Sequence, residues 1–412
     1  MNVLHVIPSV AANEGGPSFA IKAITEALAR QGVQVTVATT RLQDSGVADE
    51  EDAGGGGHGE VAAASGRGYS IVCFRREFEP YKVSFGLTRW LRKNIAGFDL
   101  VHIHALFSFS STMAARIARQ HNVPYVVRPL GVLNRWGMEN RRPIVKRVSF
   151  RLVELPILLN SAAIHYTSNA ERAEAASLDP HLAEHESVVI PLPVERVAQG
   201  NAERFLDRYP NLRGCRIILI LSRIHPMKGI ELLLDAFAIL RNQHNEVALV
   251  IAGEGEEAYR RELKERARRS DLRTGSASGS ACPTNLQEED TRIVWTGHLS
   301  GEMKAAALAA ADAFVLPSAS ENFGIAAAES LAAGVPTIVS EEVALSSDIW
   351  QYGAGVVVKR DVQELAKTIE DLLSNREGAA ALATNGRRLV EERYSPEAVG
   401  RALHELYQTI IT

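Results

Sequence analysis

Short apolar runs alternate with amphipathic stretches along the chain, and this alternation is its main structural signal. An apolar run at 3–7 predicts a buried strand, a glycine turn and a helix over 18–31 follow, and 33–39 predicts the next strand. The same order resumes with the apolar run at 217–221, after a polar stretch that ends at Gly214. Strands separated by helices are typical of parallel sheets. The pattern therefore predicts an α/β protein with two doubly wound, Rossmann-like domains.

The length of 412 residues also favours two domains, because a single core stops growing well below that size. We place the N-terminal domain at 1–195 and the C-terminal domain at 210–393. Two such domains facing each other would leave a cleft between the carboxyl ends of their strands, where ligands bind in open α/β sheets. Functional residues are therefore expected in the loops that follow the strands.

Two segments interrupt the alternation of strands and helices. Residues 49–68 are rich in glycine, alanine and acidic side chains, and residues 273–290 are rich in serine, glycine and other polar residues. Neither segment can bury much apolar area. We predict a mobile loop for the first and a disordered insertion for the second.

Composition narrows the range of functions. The net charge of −4 gives no overall attraction to nucleic acid, so no nucleic-acid partner is expected. No stretch approaches the roughly eighteen apolar residues of a membrane span, and the N-terminus lacks the basic region of a signal peptide. Three widely separated cysteines without a C-x-x-C pair predict a reducing compartment, no disulfide framework and no cysteine-based zinc site. We therefore expect a cytoplasmic protein.

One basic stretch, 141–151, bears on that location. Lys146, Arg147 and Arg151 stand there among apolar residues at helical spacing. Such a helix can lie on an anionic membrane surface, which would make the protein peripheral on the inner face of the cell membrane. The alternative, which we favour, is a helix with a solvated polar side and an apolar side in the core.

Most of the candidate ligand-binding residues follow the apolar run at 313–316. A polar turn leads there into a helix predicted over 324–333. The start of a helix at the carboxyl end of a strand offers N–H groups and the positive end of a dipole to an anion. Two carboxylates, Glu321 and Glu329, flank this helix start and would accept hydrogen bonds from hydroxyls. A ligand with a diphosphate between two sugars would suit both features, whereas the alternative is a surface helix with two solvated glutamates.

Two cations follow the first strand of the C-terminal domain. Arg223 and Lys228 lie in the loop 222–229, which leads from that strand into a helix. An arginine fork and a mobile lysine at this edge of a sheet are suited to holding a diphosphate. The alternative is a solvated loop.

A pair of histidines ends a predicted strand of the N-terminal domain. His102 and His104 alternate along 100–104 and therefore share one face of the sheet. An H-x-H pair can bind a metal ion, but no third ligand lies nearby in sequence, so no metal site is predicted. We expect one histidine to be structural and His104 to face the cleft.

Several motifs in a fixed order resemble those of the GT4 family of retaining glycosyltransferases. They are GGP at 15–17, SRIHPMKG at 222–229, AGEG at 252–255, TGHL at 296–299, and the E-x7-E pair of Glu321 and Glu329 followed by AAGVP. The resemblance covers essentially the whole chain. It implies the GT-B fold, in which two Rossmann-like domains face each other across a cleft and the terminal helix, 396–412, packs back on the N-terminal domain. It also implies a hexosyltransferase.

The resemblance implies roles for individual residues. Glu321 would bind hydroxyls of the donor sugar and Glu329 those of the ribose, while Arg223 and Lys228 would stabilise the diphosphate leaving group. The catalytic set would be Arg223, Lys228, Glu321 and His104. The remaining donor contacts would come from Gly16, Gly297, His298, Asn322, Phe323, Gly324 and Ile325.

The resemblance further implies substrates. The donor would be a nucleotide sugar such as a UDP- or GDP-hexose, and the acceptor a saccharide or lipid-linked molecule of polysaccharide or glycolipid biosynthesis. No cofactor and no metal ion are expected, because two cations and a helix dipole already face the diphosphate. Leu130 stands where many members carry a histidine, so roles on the acceptor side do not transfer. Two alternatives stay open: a catalytically silent nucleotide-sugar binding protein, and a GT-B enzyme of another reaction type, such as a phosphorylase or an epimerase.

Overall fold

The computed structural model describes residues 1–10, 16–41, 61–62, 68–133, 143–195, 200–244, 246–274 and 292–412. Within these residues the chain divides into two compact units. The first unit comprises Met1–Pro193 together with Pro396–Thr412, and the second comprises Val194–Ser395. Each unit is built around its own sheet and its own apolar core.

The sheet of the first unit has eight strands among the described residues, in the order β3-β4-β2-β1-β5-β6-β7-β8. All neighbours are parallel except the short β3, which runs antiparallel to β4. The central strands are buried on both faces, as expected for parallel strands covered by helices. The strands are β1 (Asn2–Val6), β2 (Gln34–Arg41), β3 (Val61–Ala62), β4 (Tyr69–Arg75), β5 (Leu100–His104), β6 (Tyr125–Arg128), β7 (Ala163–Tyr166) and β8 (Ser187–Val189).

Helices of the first unit pack on this sheet. Three of them begin after a serine whose hydroxyl accepts the N–H three residues further on, at Ser84, Ser108 and Ser168. The helices are α1 (Gly16–Arg30), α2 (Phe85–Asn94), α3 (Phe109–Gln120), α4 (Pro143–Ser149), α5 (Leu155–Leu159), α6 (Asn169–Leu178) and α7 (His181–Glu184), and a π-helical turn, Phe150–Glu154, joins α4 to α5.

The terminal helix, Pro396–Ile411, belongs to the first unit and packs along α1. Arg30 on α1 pairs with Glu397 at 3.1 Å. A Cβ atom on Gly400 would lie 2.5 Å from the carbonyl oxygen of Ala27, so only glycine allows the two backbones to approach this closely. The first unit is therefore completed by the last residues of the chain.

The second unit has a wholly parallel sheet of six strands among the described residues, in the order β11-β10-β9-β12-β13-β14. Its strands are β9 (Arg216–Leu221), β10 (Val247–Ala252), β11 (Ile293–Gly297), β12 (Ala313–Leu316), β13 (Thr337–Ser340) and β14 (Val356–Val358). Its helices are α8 (Ala202–Arg208), α9 (Ile230–Gln243), α10 (Glu257–Thr274), α11 (Gly301–Ala310), α12 (Ile325–Ala333), α13 (Ser346–Tyr352), α14 (Val362–Ser374) and α15 (Arg376–Leu389), followed by the π-helical turn Val390–Tyr394.

Several sequence predictions need correction. The predicted loop at 49–68 contains strand β3, and the predicted insertion at 273–290 begins inside α10, which extends through Thr274. The remaining predictions for these two segments fall outside the described residues, apart from Gly68. We predicted that the cysteines are reduced, but Cys215 is disulfide-bonded.

The basic stretch also differs from the favoured interpretation. Helix α4 begins at Pro143, while Arg141 and Arg142 lie outside the described residues. Its apolar side chains Ile144 and Val148 are exposed to solvent instead of packing in the core. Hydrophobic periodicity shows that a helix has an apolar side, but it does not show what covers that side. Within the described residues, every helix is too short or too polar to cross a bilayer.

Candidate active site

The loop after β9 carries the two predicted cations and is held by backbone contacts. Gly229 has φ 67°, and a Cβ atom there would lie 2.1 Å from the carbonyl oxygen of Pro317. The N–H of Ala319 donates to the carbonyl of Met227 at 2.7 Å. The loop is therefore fixed directly against the turn that follows β12. Lys228 lies inside this junction.

A second loop, after β10, supports the first from its other side. The N–H of Ile224 donates to the carbonyl of Glu254 at 2.7 Å. Cβ atoms on Gly253 and Gly255 would lie 1.7 Å from the carbonyl oxygen of Ser222 and 2.0 Å from that of Ile224, respectively. The AGEG motif is therefore explained by close packing of two loops, which a side chain would prevent.

The turn after β12 leads into α12 as the sequence predicted. Gly324 precedes the helix with φ 89°, a conformation that glycine adopts without strain. Phe323 is buried and packs edge-on against Tyr394, with ring centroids 5.5 Å apart. Glu321 bonds through its N–H to Glu342 and through its carbonyl to Ala344. The start of α12 is thus anchored on both sides, with its N–H groups at the carboxyl end of the sheet.

Both predicted carboxylates are engaged by lysines. Glu321 forms an ion pair with Lys228, and these side chains are only 21% and 13% exposed. Glu329 accepts a hydrogen bond from Lys304 at 2.6 Å. The lysine on each carboxylate fixes the direction of that carboxylate. Two oriented hydrogen-bond acceptors therefore flank the start of α12.

Lys304 was missed by the sequence analysis. It lies in the first turn of α11, a helix of mainly alanine residues. A lysine near a helix N-terminus is disfavoured by the helix dipole, so its presence there calls for an outside partner. That partner is Glu329, one of the two motif glutamates. The unfavourable position of the Lys304 charge at a helix N-terminus was the sequence signal that could have identified this residue.

The other predicted donor residues are distributed over both units. Arg223 and His298 are exposed, and within the described part of the second unit Arg223 has no ion-pair partner. Gly297 ends β11 with φ 72°, Asn322 is exposed, and Ile325 begins α12. Gly16 is the first residue of α1 in the first unit. Arg223, Lys228, Glu321 and the start of α12 therefore lie together in one unit.

We predicted that His104 faces the cleft, and this prediction is wrong. His104 is fully buried at the end of β5, and its Nε2 shares a hydrogen bond of 2.9 Å with His5 Nδ1. His102 shares one of 2.6 Å with the hydroxyl of Tyr407, and His165 lies against His102. The alternation along β5 placed both histidines correctly on one face, but that face is covered by the terminal helix. His104 is part of the core.

Burial controls the charge of this histidine cluster. It lowers the pKa of His5 and of His165 to about 3, with the nearby Arg128 guanidinium acting in the same direction. The pKa values of His102 and His104 are lowered as well, first by burial and then by neighbouring histidines. Ligand atoms of His5, His102 and His104 lie within 4.8 Å of one another, as in a metal site, yet hydrogen bonds already join these rings. The cluster therefore serves as a neutral polar core.

Comparisons with known proteins agree with this geometry. The family profile described as "Glycosyl transferase 4-like domain" matches residues 15–193, and the one described as "Glycosyl transferases group 1" matches residues 215–375. Together they span most of the chain. The first profile ends at Pro193, the last residue before the second structural unit begins, and the second profile lies inside that second unit.

Curated relatives and solved structures extend the comparison. The chain is 27% identical over 342 residues to the uncharacterized glycosyltransferase YqgM of Bacillus subtilis, covering 81% of this chain and 85% of that protein. It is 27% identical over 327 residues to the GDP-mannose:cellobiosyl-diphosphopolyprenol alpha-mannosyltransferase of Komagataeibacter xylinus, covering 77% and 73%. The sucrose-phosphate synthase of Thermosynechococcus elongatus shares the fold, with a TM-score of 0.73, 21% identity and coverage of 99% and 98%. The chain belongs to the GT4-like glycosyltransferases of the GT-B fold.

Proposed function

We propose that this glycosyltransferase moves a hexose from a nucleoside-diphosphate sugar to a hydroxyl acceptor, with retention of anomeric configuration and without a metal ion. One observation carries the proposal: Lys228, Glu321 and the start of α12 are packed together in the second unit, with Arg223 on the same loop as Lys228. Two cations and a helix N-terminus suit a diphosphate, and the flanking carboxylates suit sugar hydroxyls.

The chemistry follows from where charge develops. Breaking the anomeric C–O bond leaves positive charge on the sugar ring and negative charge on the departing diphosphate. Arg223, Lys228 and the N–H groups at 322–325 would stabilise that negative charge without a metal ion. Glu321 would hold the hexose and Glu329 the ribose. His104 is left out of this catalytic set because it is buried in the first unit.

The substrates are proposed at the level of class. The name of the Komagataeibacter relative specifies a GDP-sugar donor and a lipid-linked saccharide acceptor, which supports a GDP-hexose donor and a saccharide or lipid-linked acceptor here. A UDP-hexose stays the other candidate donor. A lipid-linked acceptor would bring the protein to the inner face of the cell membrane. Polysaccharide or glycolipid synthesis is the corresponding role.

The experiment is a thermal-shift panel of UDP- and GDP-hexoses, followed by product analysis with the donor that binds. A bound donor stabilises the native state and raises the melting temperature. We expect one donor to stand out, slow release of its hexose without acceptor, the same anomeric configuration in donor and product, and unchanged turnover with a chelator present.

Each contrary result removes a different part of the proposal. Inversion of configuration, or loss of turnover with the chelator, would contradict the mechanism. Binding of a donor that is neither hydrolysed nor transferred would indicate the silent binding protein. A new sugar isomer on the nucleotide would indicate an epimerase, and release of a sugar phosphate in the presence of phosphate would indicate a phosphorylase.

A further inference from the structure

The first unit exposes an apolar stripe on α4 and the π-helical turn that follows it. Its members lie on one helix face and are Ile144, Val145, Val148 and Leu152. Their exposed fractions run from 53% to 75%, although residues of this type are ordinarily the most buried in a protein. A contiguous exposed apolar face of this kind marks an interaction site.

A second element extends this stripe. The segment that leads from β4 to the first residue of α2 exposes three aromatic side chains, Phe78, Tyr81 and Phe85, and we call it the aromatic loop. The rings of Phe78 and Phe85 contact each other edge to face, with centroids 6.5 Å apart. Aromatic side chains are well suited to the boundary between lipid headgroups and acyl chains. The apolar area therefore does not come from one helix alone.

Tyr81 ties the aromatic loop to the helix that carries the stripe. Its hydroxyl lies 3.0 Å from Ser149 Oγ and 3.4 Å from Glu154 Oε1, and Tyr81 has φ 69°. Ser149 ends α4, and Glu154 is fully buried beneath it in the π-helical turn. The contact holds the two exposed apolar elements side by side.

The charges around this surface are mainly basic. Arg147 and Arg151 are exposed on the same helix as the stripe, although the chain as a whole has a net charge of −4. Of the acidic side chains in the aromatic loop, Glu77 accepts the N–H of Phe85 and Glu79 pairs with Arg76 at 3.1 Å. The Asp179 carboxylate lies within electrostatic reach of Arg151, and both arginines are exposed to solvent. A partner for this surface must therefore be both apolar and anionic.

We propose that the apolar stripe and the aromatic loop together form a docking surface for an anionic phospholipid bilayer. A helix with apolar residues on one side and arginines beside them lies in the headgroup plane, where the arginines reach phosphate while the apolar side chains enter the acyl boundary. The aromatic loop inserts next to it. This surface lies in the first unit, so the proposal does not depend on the donor site of the second.

The test is flotation of the full-length protein with phosphatidylglycerol vesicles and, in parallel, with phosphatidylcholine vesicles. The triple variant Ile144→Ser, Val148→Ser, Leu152→Ser removes three of the four side chains of the stripe, and Arg147→Glu with Arg151→Glu reverses the charge. We expect wild type to float with phosphatidylglycerol vesicles only. Each variant should bind them about tenfold more weakly or worse, because the first loses apolar side chains that enter the acyl boundary and the second loses attraction to anionic headgroups.

Matched controls use the second unit, which the proposal does not involve. Trp350 is 78% exposed there and Arg376 is also exposed, so Trp350→Ser and Arg376→Glu change equally exposed residues. Both should float as wild type does. Phe85→Ser tests the aromatic loop and should weaken flotation although the helix is intact.

Four outcomes would overturn the proposal. Equal flotation with both kinds of vesicle, or none with either, would exclude an anionic-lipid surface. Flotation of the stripe variant at wild-type level would show that other residues bind lipid. If wild type sediments as a dimer in solution and the stripe variant as a monomer, the surface joins two copies of the chain instead.

Discussion

At the scale of single residues, the ion pair between Lys228 and Glu321 links the two halves of the proposed donor site. Both side chains are largely shielded from solvent, so their attraction is stronger than that of a surface pair. A diphosphate would compete with Glu321 for the lysine. Lys228 would then face the leaving group, and Glu321 would turn to the hexose hydroxyls.

The first prediction concerns this lysine. Lys228→Ala should lower kcat by roughly 10²-fold, the scale for losing one preorganised donor to the developing charge. Steady-state kinetics with the donor found by thermal shift provides the measurement. Lys367→Ala, an exposed lysine on α14, is the control and should retain wild-type turnover. Equal kcat values in the two variants would contradict the leaving-group role.

The second prediction concerns Lys304. Removing it in Lys304→Met takes away the hydrogen bond that directs Glu329, so KM for the donor should rise about fivefold while kcat stays close to wild type. Lys304→Arg should restore most of the affinity because it keeps the charge. A fall in kcat at unchanged KM would show that Glu329 does not serve the ribose.

Local sequence was sufficient to place Arg223 and Lys228 in the loop after β9, Glu321 in the turn after β12 and Glu329 in α12, where the structure has them. Their roles toward a donor stay predictions. The partner of Glu329 was not predictable from those residues, since it depends on how α11 packs beside α12. The prediction that His104 faces the cleft was wrong for a related reason. Strand alternation tells which face a residue occupies, but the cover of that face comes from Tyr407, far away in sequence.

At the scale of elements, glycines set how closely the loops of the second unit pack. Gly229 and Gly214 both have positive φ, 67° and 79°, so alanine is strained at either position. Only at Gly229 would the added Cβ meet another backbone, at Pro317; at Gly214 nothing lies within 4 Å. The two positions therefore separate backbone strain from loop packing.

The third prediction uses this pair. Gly229→Ala should lower donor affinity and the melting temperature well beyond Gly214→Ala, because it forces the loop of Lys228 away from the turn after β12. Thermal melts with and without donor give both quantities. If the two variants lost donor affinity and melting temperature to a similar extent, the close approach of the two loops would not be needed for donor binding or stability.

The fourth prediction concerns the histidine cluster under the terminal helix. The folded pKa of His5 and of His165 is about 3, below the ordinary value of 6.5, so the unfolded chain takes up protons first as pH falls. Stability of the first unit should therefore be full above about pH 6.5 and decline below it, by up to about 1.4 kcal/mol per pH unit for each imidazole kept neutral.

Hydrogen exchange measures this decline separately for each unit. After correction for the intrinsic rate, amides of β1 and β5 should lose protection between about pH 7 and about pH 5, whereas those of β9 and β12 should lose much less. Unchanged protection of β1 and β5 would contradict the neutral, buried state of the cluster. Tyr407→Phe, which removes the hydroxyl bonded to His102, should lower protection of the terminal helix at every pH.

Element positions were predictable from hydrophobic periodicity, because parallel strands and their helices differ clearly in period. The terminal helix was placed at its observed start, and β5 and β12 at their observed bounds. The orientation of α4 was not, since an apolar stripe is compatible with a core or with an outer surface. Only the exposed fractions of the α4 side chains in the folded structure decide between a buried and an exposed apolar side.

At the scale of the whole molecule, the repeated order of strands and helices was enough to predict two Rossmann-like units. The family comparisons confirm the GT-B class and the glycosyltransferase assignment. The identity of hexose, base and acceptor was not predictable, because contacts between backbone and ligand leave little trace in residue types. The proposed donor site consists of a small group of loops and one helix start in the second unit.

The most direct test of the account is a crystal structure with the UDP- or GDP-hexose that gives the largest thermal shift. The account predicts the diphosphate within hydrogen-bond distance of Arg223, Lys228 and the N–H groups at 322–325, with the pair between Lys228 and Glu321 opened and Glu321 bound to the hexose. A diphosphate bound away from Arg223, Lys228 and the start of α12 would contradict it.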